Sequence, residues 1–282
     1  MSSLADIRRA LSDGPLARRF DDLEDLAEPS IVLRPTRVRQ VDLSTGESRI
    51  GGVPDLPGGI EWPRWKGEPQ SFIAQIRLSS LGELSGLYVP PTGWLLFFYS
   101  ARQDTWGFSP ADRGSSAVMY VPETAKLERT APPEPLPDGG AFEPCRVSFA
   151  ESWTLPSWDS PQIEPLGLTD EELDAYCDAV DALFHGDRHR LLGHPDQIQG
   201  DMTVECALVT GGLDLGDASG RSDPRAAELA GGWSDWRLLL QVVSDDAPGM
   251  MWGDAGHLYY WIRAPDLEAG DFNRIWLILQ CF

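Results

Sequence analysis

The sequence predicts an α+β fold: two pseudo-repeated, mainly antiparallel β-rich halves forming one compact domain, with helices at the N-terminus. Three observations carry this prediction. First, three pieces recur in the same order. They are a Gly-Pro loop (GVPDLPGG at 52–59, GHPDQIQG at 193–200), an apolar segment around a Gln (SFIAQIRL at 71–78, WRLLLQVV at 236–243) and a Gly-led aromatic segment (GWLLFFYS at 93–100, GHLYYWIR at 256–263). Second, strand signals outnumber helix signals and do not alternate with them, unlike a doubly wound sheet. Third, runs such as Trp276–Gln280 are apolar without interruption, the pattern of strands covered on both faces.

Taken in order, Ser3 caps a first helix with Leu4, Ile7 and Leu11 on one face, and Gly14-Pro15 breaks it. A second helix carries Leu16, Phe20, Leu23 and Ala27 and stops at Pro29. Strands follow at Ile31–Leu33 and Val38–Leu43, separated by Arg34-Pro35. Gly51–Gly59 reads as an ordered loop. Ser71–Leu78, Trp94–Tyr99 and Ala117–Val121 are the strands of the first half, and Ala131–Gly140 is a surface loop. Thr169 and Glu172 form a capping box. The helix behind it has a stripe of Leu173, Tyr176, Cys177, Val180 and Phe184 and ends at Gly186. Thr203–Val209, Trp236–Val243, Gly256–Arg263 and Arg274–Cys281 are the strands of the second half. A short helix starts at Pro224 and closes at Gly231-Gly232. The organisation expected is a helical extension over 1–29, a first half over 30–150, an acidic helical connection over 151–187 and a second half over 188–282.

The formal charge of −21 argues against nucleic-acid binding, which needs Lys and Arg against phosphate. It favours a basic protein partner. The acid is concentrated: from Glu151 to Asp187 there are ten Asp or Glu and no Lys or Arg. No apolar run approaches the ~20 residues of a membrane span, and the polar N-terminus carries no signal core. Cys145, Cys177, Cys206 and Cys281 have no paired spacing and suit buried reduced thiols. A cytoplasmic monomer is therefore expected, without cofactor.

Nucleophile and phosphate-loop motifs are missing from the sequence. The candidate ligand-binding residues are polar or aromatic groups in and beside the copied pieces. Gln75 and Gln241 occupy equivalent places on copied strands, and a buried amide there needs partners for both ends. Strand alternation puts Gln75 with Ser71, Ile73 and Arg77, and Gln241 with Arg237, Leu239 and Val243. Gln199 lies in the second loop and Asp201 just past it, and Trp252 and Asp254 form a corner before a copied strand. Asp55 and Asp196 follow the loop prolines, where turn capping is the simplest role. His185, His189 and His194 are close in sequence, but Gly186 interrupts their helix and no partner motif accompanies them, so no metal is expected.

The runs HRLLGHPDQIQGD at 189–201, WRLLLQVVSDD at 236–246 and WGDAGHLYYWIRAPDLEAGDFNRIWLILQCF at the C-terminus resemble the YwqG-like family of bacterial proteins, the DUF1963 domain. GGVPDLPGGIEWPRW at 51–65, FIAQIRLSSL at 72–81 and GWLLFFYS at 93–100 extend the resemblance to most of the chain. Its motif positions here are Pro54, Pro57, Trp62, Gln75, Gly193, Pro195, Gln199, Gln241, Trp252, Gly253 and Asp254, with His194 where an aromatic such as Tyr is common. The resemblance implies an α+β fold of two similar halves and no established activity or catalytic residues. Members resemble proteins encoded near bacterial toxin systems. The expected function is thus a non-catalytic protein-binding module, immunity-like or regulatory, with a basic partner such as a toxin. The alternative is a small-molecule binder or hydrolase with a polar cleft between the halves.

Overall fold

The computed structural model describes residues 2–12, 14–82, 89–183 and 189–282. Its strands in chain order are β1 (Glu28–Arg37), β2 (Arg49–Ile50), β3 (Asp55–Pro57), β4 (Arg64–Trp65), β5 (Glu68–Pro69), β6 (Ser71–Arg77), β7 (Trp94–Tyr99), β8 (Ser116–Val121), β9 (Leu127–Arg129), β10 (Cys145–Thr154), β11 (His189–Leu191), β12 (Trp236–Val243), β13 (His257–Arg263) and β14 (Trp276–Gln280). Ten of them form one antiparallel sheet in the order β14-β13-β12-β11-β1-β10-β2-β6-β7-β8. The helices are α1 (Leu4–Ser12), α2 (Phe20–Glu24), α3 (Asp170–Leu183), α4 (Thr203–Thr210) and three shorter ones, α5 (Ala218–Arg221), α6 (Ala226–Ala230) and α7 (Ala264–Glu268). The protein is therefore α+β, dominated by a large antiparallel sheet.

The sheet nearly closes into a barrel. The chain leaving β7 turns back so that the Leu279 amide on β14 donates to the Trp106 carbonyl at 3.1 Å. The Trp276 indole donates to the Gly107 carbonyl at 2.9 Å. Gly107 has φ +82°, and a Cβ there would lie 2.0 Å from the Leu277 carbonyl oxygen, so only glycine permits the approach. Inside, Phe97 meets Tyr260 edge to face at 5.2 Å, and the core runs through Leu33, Ile76, Leu95, Leu240 and Ile262.

The central strands are apolar on both sides because both faces are covered. Outside β12–β14, α4 packs Cys206, Leu208 and Val209 onto Trp236, Tyr259 and Ile278. Outside β6–β8, Leu56 and Trp62 cover Phe72, Leu96 and Phe98. The N-terminal helices and α3 enclose a further cluster: Ile7, Leu11, Leu16 and Leu23 pack with Tyr176, Leu155 and Ile163. The capping box is formed, with the Thr169 amide donating to Glu172 Oε2 at 2.8 Å and the Glu172 amide to Thr169 Oγ1 at 3.3 Å. Phe184, His185 and Gly186 lie outside the described residues.

Several expectations change. Thr203–Val209 is helical: Asp201 Oδ1 accepts the amides of Thr203 at 2.8 Å and Val204 at 3.4 Å, an N-terminal cap that overrides the β preference of Thr and Val. The expected second helix is instead a 3₁₀ turn over Gly14–Arg19 followed by the short α2. The Pro224 helix begins later, at Ala226, and leads into a 3₁₀ turn over Gly231–Asp235. β1 runs unbroken through Pro35, because β11 pairs only with Ile31–Leu33 and leaves the far end of β1 with a single neighbour, where a proline costs no ladder bond on the open side. Val38–Leu43 is no strand and contains a 3₁₀ turn over Gln40–Asp42. β10, which joins β1 along ten residue pairs, has no counterpart among the expected strands.

Bulges also reset two faces. β6 slips between Phe72 and Ala74 and β12 between Leu238 and Leu240. Each bulge ends one residue before a Gln. Gln75 thus shares the outer face with Phe72 rather than with Ser71 and Ile73, and Gln241 shares it with Trp236 and Leu238 rather than with Arg237 and Leu239.

Candidate functional site

Two clusters of buried polar residues on the sheet are each built around an Arg, an Asp and a Gln. In the first, Arg49 on β2 is directly opposite Gln75 on β6. Gln75 Oε1 accepts the Asp55 amide at 2.8 Å, and Gln75 Nε2 donates to Asp55 Oδ2 at 3.2 Å. Arg49 donates to the same oxygen and, through a second nitrogen, to the Val53 carbonyl at 2.9 Å. Arg129 completes the cluster, its Nε 2.6 Å from Asp55 Oδ1. In the second cluster Arg190 on β11 is directly opposite Gln241 on β12. Gln241 Oε1 accepts the Asp196 amide at 2.8 Å, and Gln241 Nε2 donates to Asp196 Oδ2 at 2.9 Å. Arg190 donates to that oxygen at 2.8 Å and to the His194 carbonyl at 2.6 Å.

The cause is a shared spacing. RIGGVPD at 49–55 and RLLGHPD at 190–196 both place an Arg in a short strand and an Asp six residues later, beyond a Gly and a Pro. The loop returns the Asp to the strand next to its Arg, where the Gln amide holds backbone and carboxylate together. Asp55 and Asp196 therefore clamp loop to sheet rather than cap their own turns. Burial works to raise the Asp55 carboxyl, but the Arg129 hydrogen bond and the Arg49 charge outweigh it and hold the group below its ordinary value. Burial pushes the Arg49 guanidinium down against the pull of Asp55. The arginines are the residues that sequence reasoning missed; the copied pattern, started three residues earlier, contains Arg49 and Arg190 but not Arg129.

The six candidate residues take different places. Gln75 and Gln241 are fully buried, one in each cluster, with four strands between β6 and β12 in the sheet. Gln199 is exposed, and its amide donates to Gln280 Oε1 at 3.0 Å. Asp201 caps α4, and burial raises its carboxyl. Trp252 is buried in the barrel core against Phe142 at 5.3 Å and Tyr99 at 6.1 Å, while Asp254 beside it is exposed. A cavity of about 30 Å³ bounded by His194, Gln197, Asp201, Thr203, Arg237 and Trp261 takes in Asp201 alone of the six. That volume is room for roughly one or two waters.

A model of the domain of unknown function DUF1963 matches residues 48–281. The chain belongs to this family. No curated protein matches it. The matched span takes in every member of both clusters, so the clamp is a feature of this DUF1963 domain rather than of the N-terminal helices.

The described histidines of the DUF1963 domain, His189, His194 and His257, are bound into its structure one by one. His189 Nδ1 accepts the Val243 amide at 3.2 Å, which leaves Nε2–H to donate to Asp245 at 3.0 Å. His194 Nε2 meets the Leu26 carbonyl at 2.8 Å, and burial holds its imidazole below the ordinary value. His257 Nδ1 lies 3.2 Å from the Asp196 carbonyl, which also accepts the Tyr259 hydroxyl at 2.6 Å. Among the described residues no three potential metal ligands come together. No helix among them is long and apolar enough to cross a membrane.

Proposed function

We propose that this protein is a non-catalytic binding module for a basic protein partner, immunity-like or regulatory in kind and acting as a cytoplasmic monomer. The observation that carries the reading is the outer face of α3. Asp170, Glu171, Asp174, Asp178 and Asp181 are all exposed there, and none has a Lys or Arg partner among the described residues. The one carboxylate of the helix that turns inward, Glu172, is taken by Arg18 at 2.6 and 2.7 Å and sits down at about 2. The helix is firmly seated, with the Tyr176 hydroxyl donating to the Pro156 carbonyl at 2.6 Å. A rigid row of unpaired like charges raises the association rate of an oppositely charged partner.

We also infer that the halves descend from one duplicated unit. The matching Arg-Asp-Gln clusters and the bulge before each Gln support this. Duplicated clamps that hold loops to a sheet favour a scaffold over a reaction centre. The small-molecule or hydrolase reading, built on Gln75, Gln199, Asp201, Gln241, Trp252 and Asp254, is the weaker one, since the cavity at Asp201 is small.

The test is capture of a basic protein from the native host by the full chain, compared with a variant neutralised at Asp170, Glu171, Asp174, Asp178 and Asp181. Affinity for the captured protein is expected to fall at least about tenfold in the variant and to weaken with salt. Unchanged capture by the neutralised chain removes the reading.

A further inference from the structure

The two clusters differ at one oxygen. Both carboxylate oxygens of Asp55 are occupied, Oδ2 by Arg49, Gln75 and the Gly46 amide and Oδ1 by Arg129. In the second cluster, Oδ2 of Asp196 takes Arg190 and Gln241, but Oδ1 takes no donor among the described residues. The Asp55 side chain is fully buried, whereas Asp196 keeps 17% of its side chain exposed. The seat that Arg129 fills in one half is open to solvent in the other.

We propose that Asp196 Oδ1 receives an arginine side chain of the protein partner. The proposal rests on the basic-partner reading and adds the residue type that the partner must offer. Three arguments support it. Asp196 is held in place before any ligand arrives: its amide, its Oδ2 and its carbonyl are each hydrogen-bonded, the last by the Tyr259 hydroxyl. Little ordering is left to be done on binding. The first cluster shows what the seat accepts. Arg129 spreads its fork over Asp55 and the carbonyls of Gln40 and Leu43, at 3.1 and 3.0 Å, a pattern that a compact ammonium does not reproduce. Finally, a second carboxylate stands beside the seat: Gln197, next to Asp196, donates to the exposed Asp159.

The experiment is an amide-resolved NMR titration of the full chain with N-acetylarginine amide and with N-acetyllysine amide. The arginine compound is expected to shift the Asp196 and Gln197 amides and the Gln241 side-chain amide, saturating at about tenfold lower concentration than the lysine compound. Asp196→Asn is expected to abolish that preference. Because Asp196→Asn also touches the clamp, Asp159→Asn serves as a second variant that leaves Arg190 and Gln241 in place, with an expected loss of about two- to threefold. Equal responses to the two compounds, or shifts confined to α3, overturn the proposal. The two readings fail separately. A basic partner lost on neutralising α3, without an arginine response at Asp196, overturns the seat alone. An arginine response at Asp196, without any basic protein captured, overturns the partner reading alone.

Discussion

Asp55 and Asp196 close the same seven-residue pattern, accept the same Gln and Arg donors and yet sit in different solvents. Around Asp55 the clamp is sealed: Arg49, Gln75 and Asp55 are all at 0% exposure and a second arginine completes the carboxylate. Around Asp196 it has one arginine and an open oxygen. One arrangement of side chains thus serves as pure structure where it is covered, while at the surface it holds a carboxylate at a set angle to solvent. A buried ion pair contributes little net stability over an apolar replacement, but losing one partner is costly because the other charge stays buried.

The largest expected effect follows from that asymmetry. Asp55→Ala strands Arg49 and Arg129 together and should cost ~3–5 kcal/mol in denaturant unfolding. Asp196→Ala strands a single buried arginine, Arg190, at a site where Asp196 itself keeps 17% exposure, and should cost less, ~2 kcal/mol. Equal losses would break the contrast between a sealed and an open clamp. The amides give the complementary control. Gln75→Leu and Gln241→Leu each remove an acceptor for a loop amide and a donor to a carboxylate, and each should cost ~1–3 kcal/mol. Because these two bonds recur in both clusters, the two losses should agree within about 1 kcal/mol; a larger gap would show that the clusters are alike in geometry only. Arg129→Met comes next, at ~1–2 kcal/mol, since it frees one oxygen of Asp55 but leaves Arg49 in place.

The contrast also marks what the sequence makes legible. Apolar runs such as Trp276–Gln280 identify doubly covered strands because burial on both faces writes itself into composition. The Thr169–Glu172 box is local chemistry and reads directly. The equivalence of Gln75 and Gln241 is visible as a repeat, but their partners are not, because Arg49 and Arg190 reach them across strand pairs formed at long range. Bulges at 72–74 and 238–240 reverse a face without any residue that announces it. Thr203–Val209 reads as a strand by propensity, and only the placement of Asp201 against its first amides makes it a helix. Trp252 shows the same limit: a Trp beside a turn is written identically whether it faces solvent or, as here, the barrel core.

The smallest effect separates the clusters by pH. The residue whose carbonyl accepts the cluster arginine is Val53 in the first cluster and His194 in the second. Burial of His194 lowers its pKa, against the opposing pull of Glu28, so the folded state resists a proton that the unfolded chain takes up near 6.5. Below that value the unfolded chain binds more protons, and stability falls as pH drops from the unfolded pKa toward the folded one. The slope from this one group is at most ~1.4 kcal/mol per pH unit. His194→Val makes the second clamp resemble the first. It forfeits the bond to Leu26 at every pH, so the informative quantity is the change between pH 7.5 and pH 5.5, not the stability itself. The native chain should lose about 1 kcal/mol more over that interval than the variant, measured by urea midpoint at constant m-value. Parallel losses in the two proteins would place the acid sensitivity outside the second clamp and leave the two clamps alike in this respect.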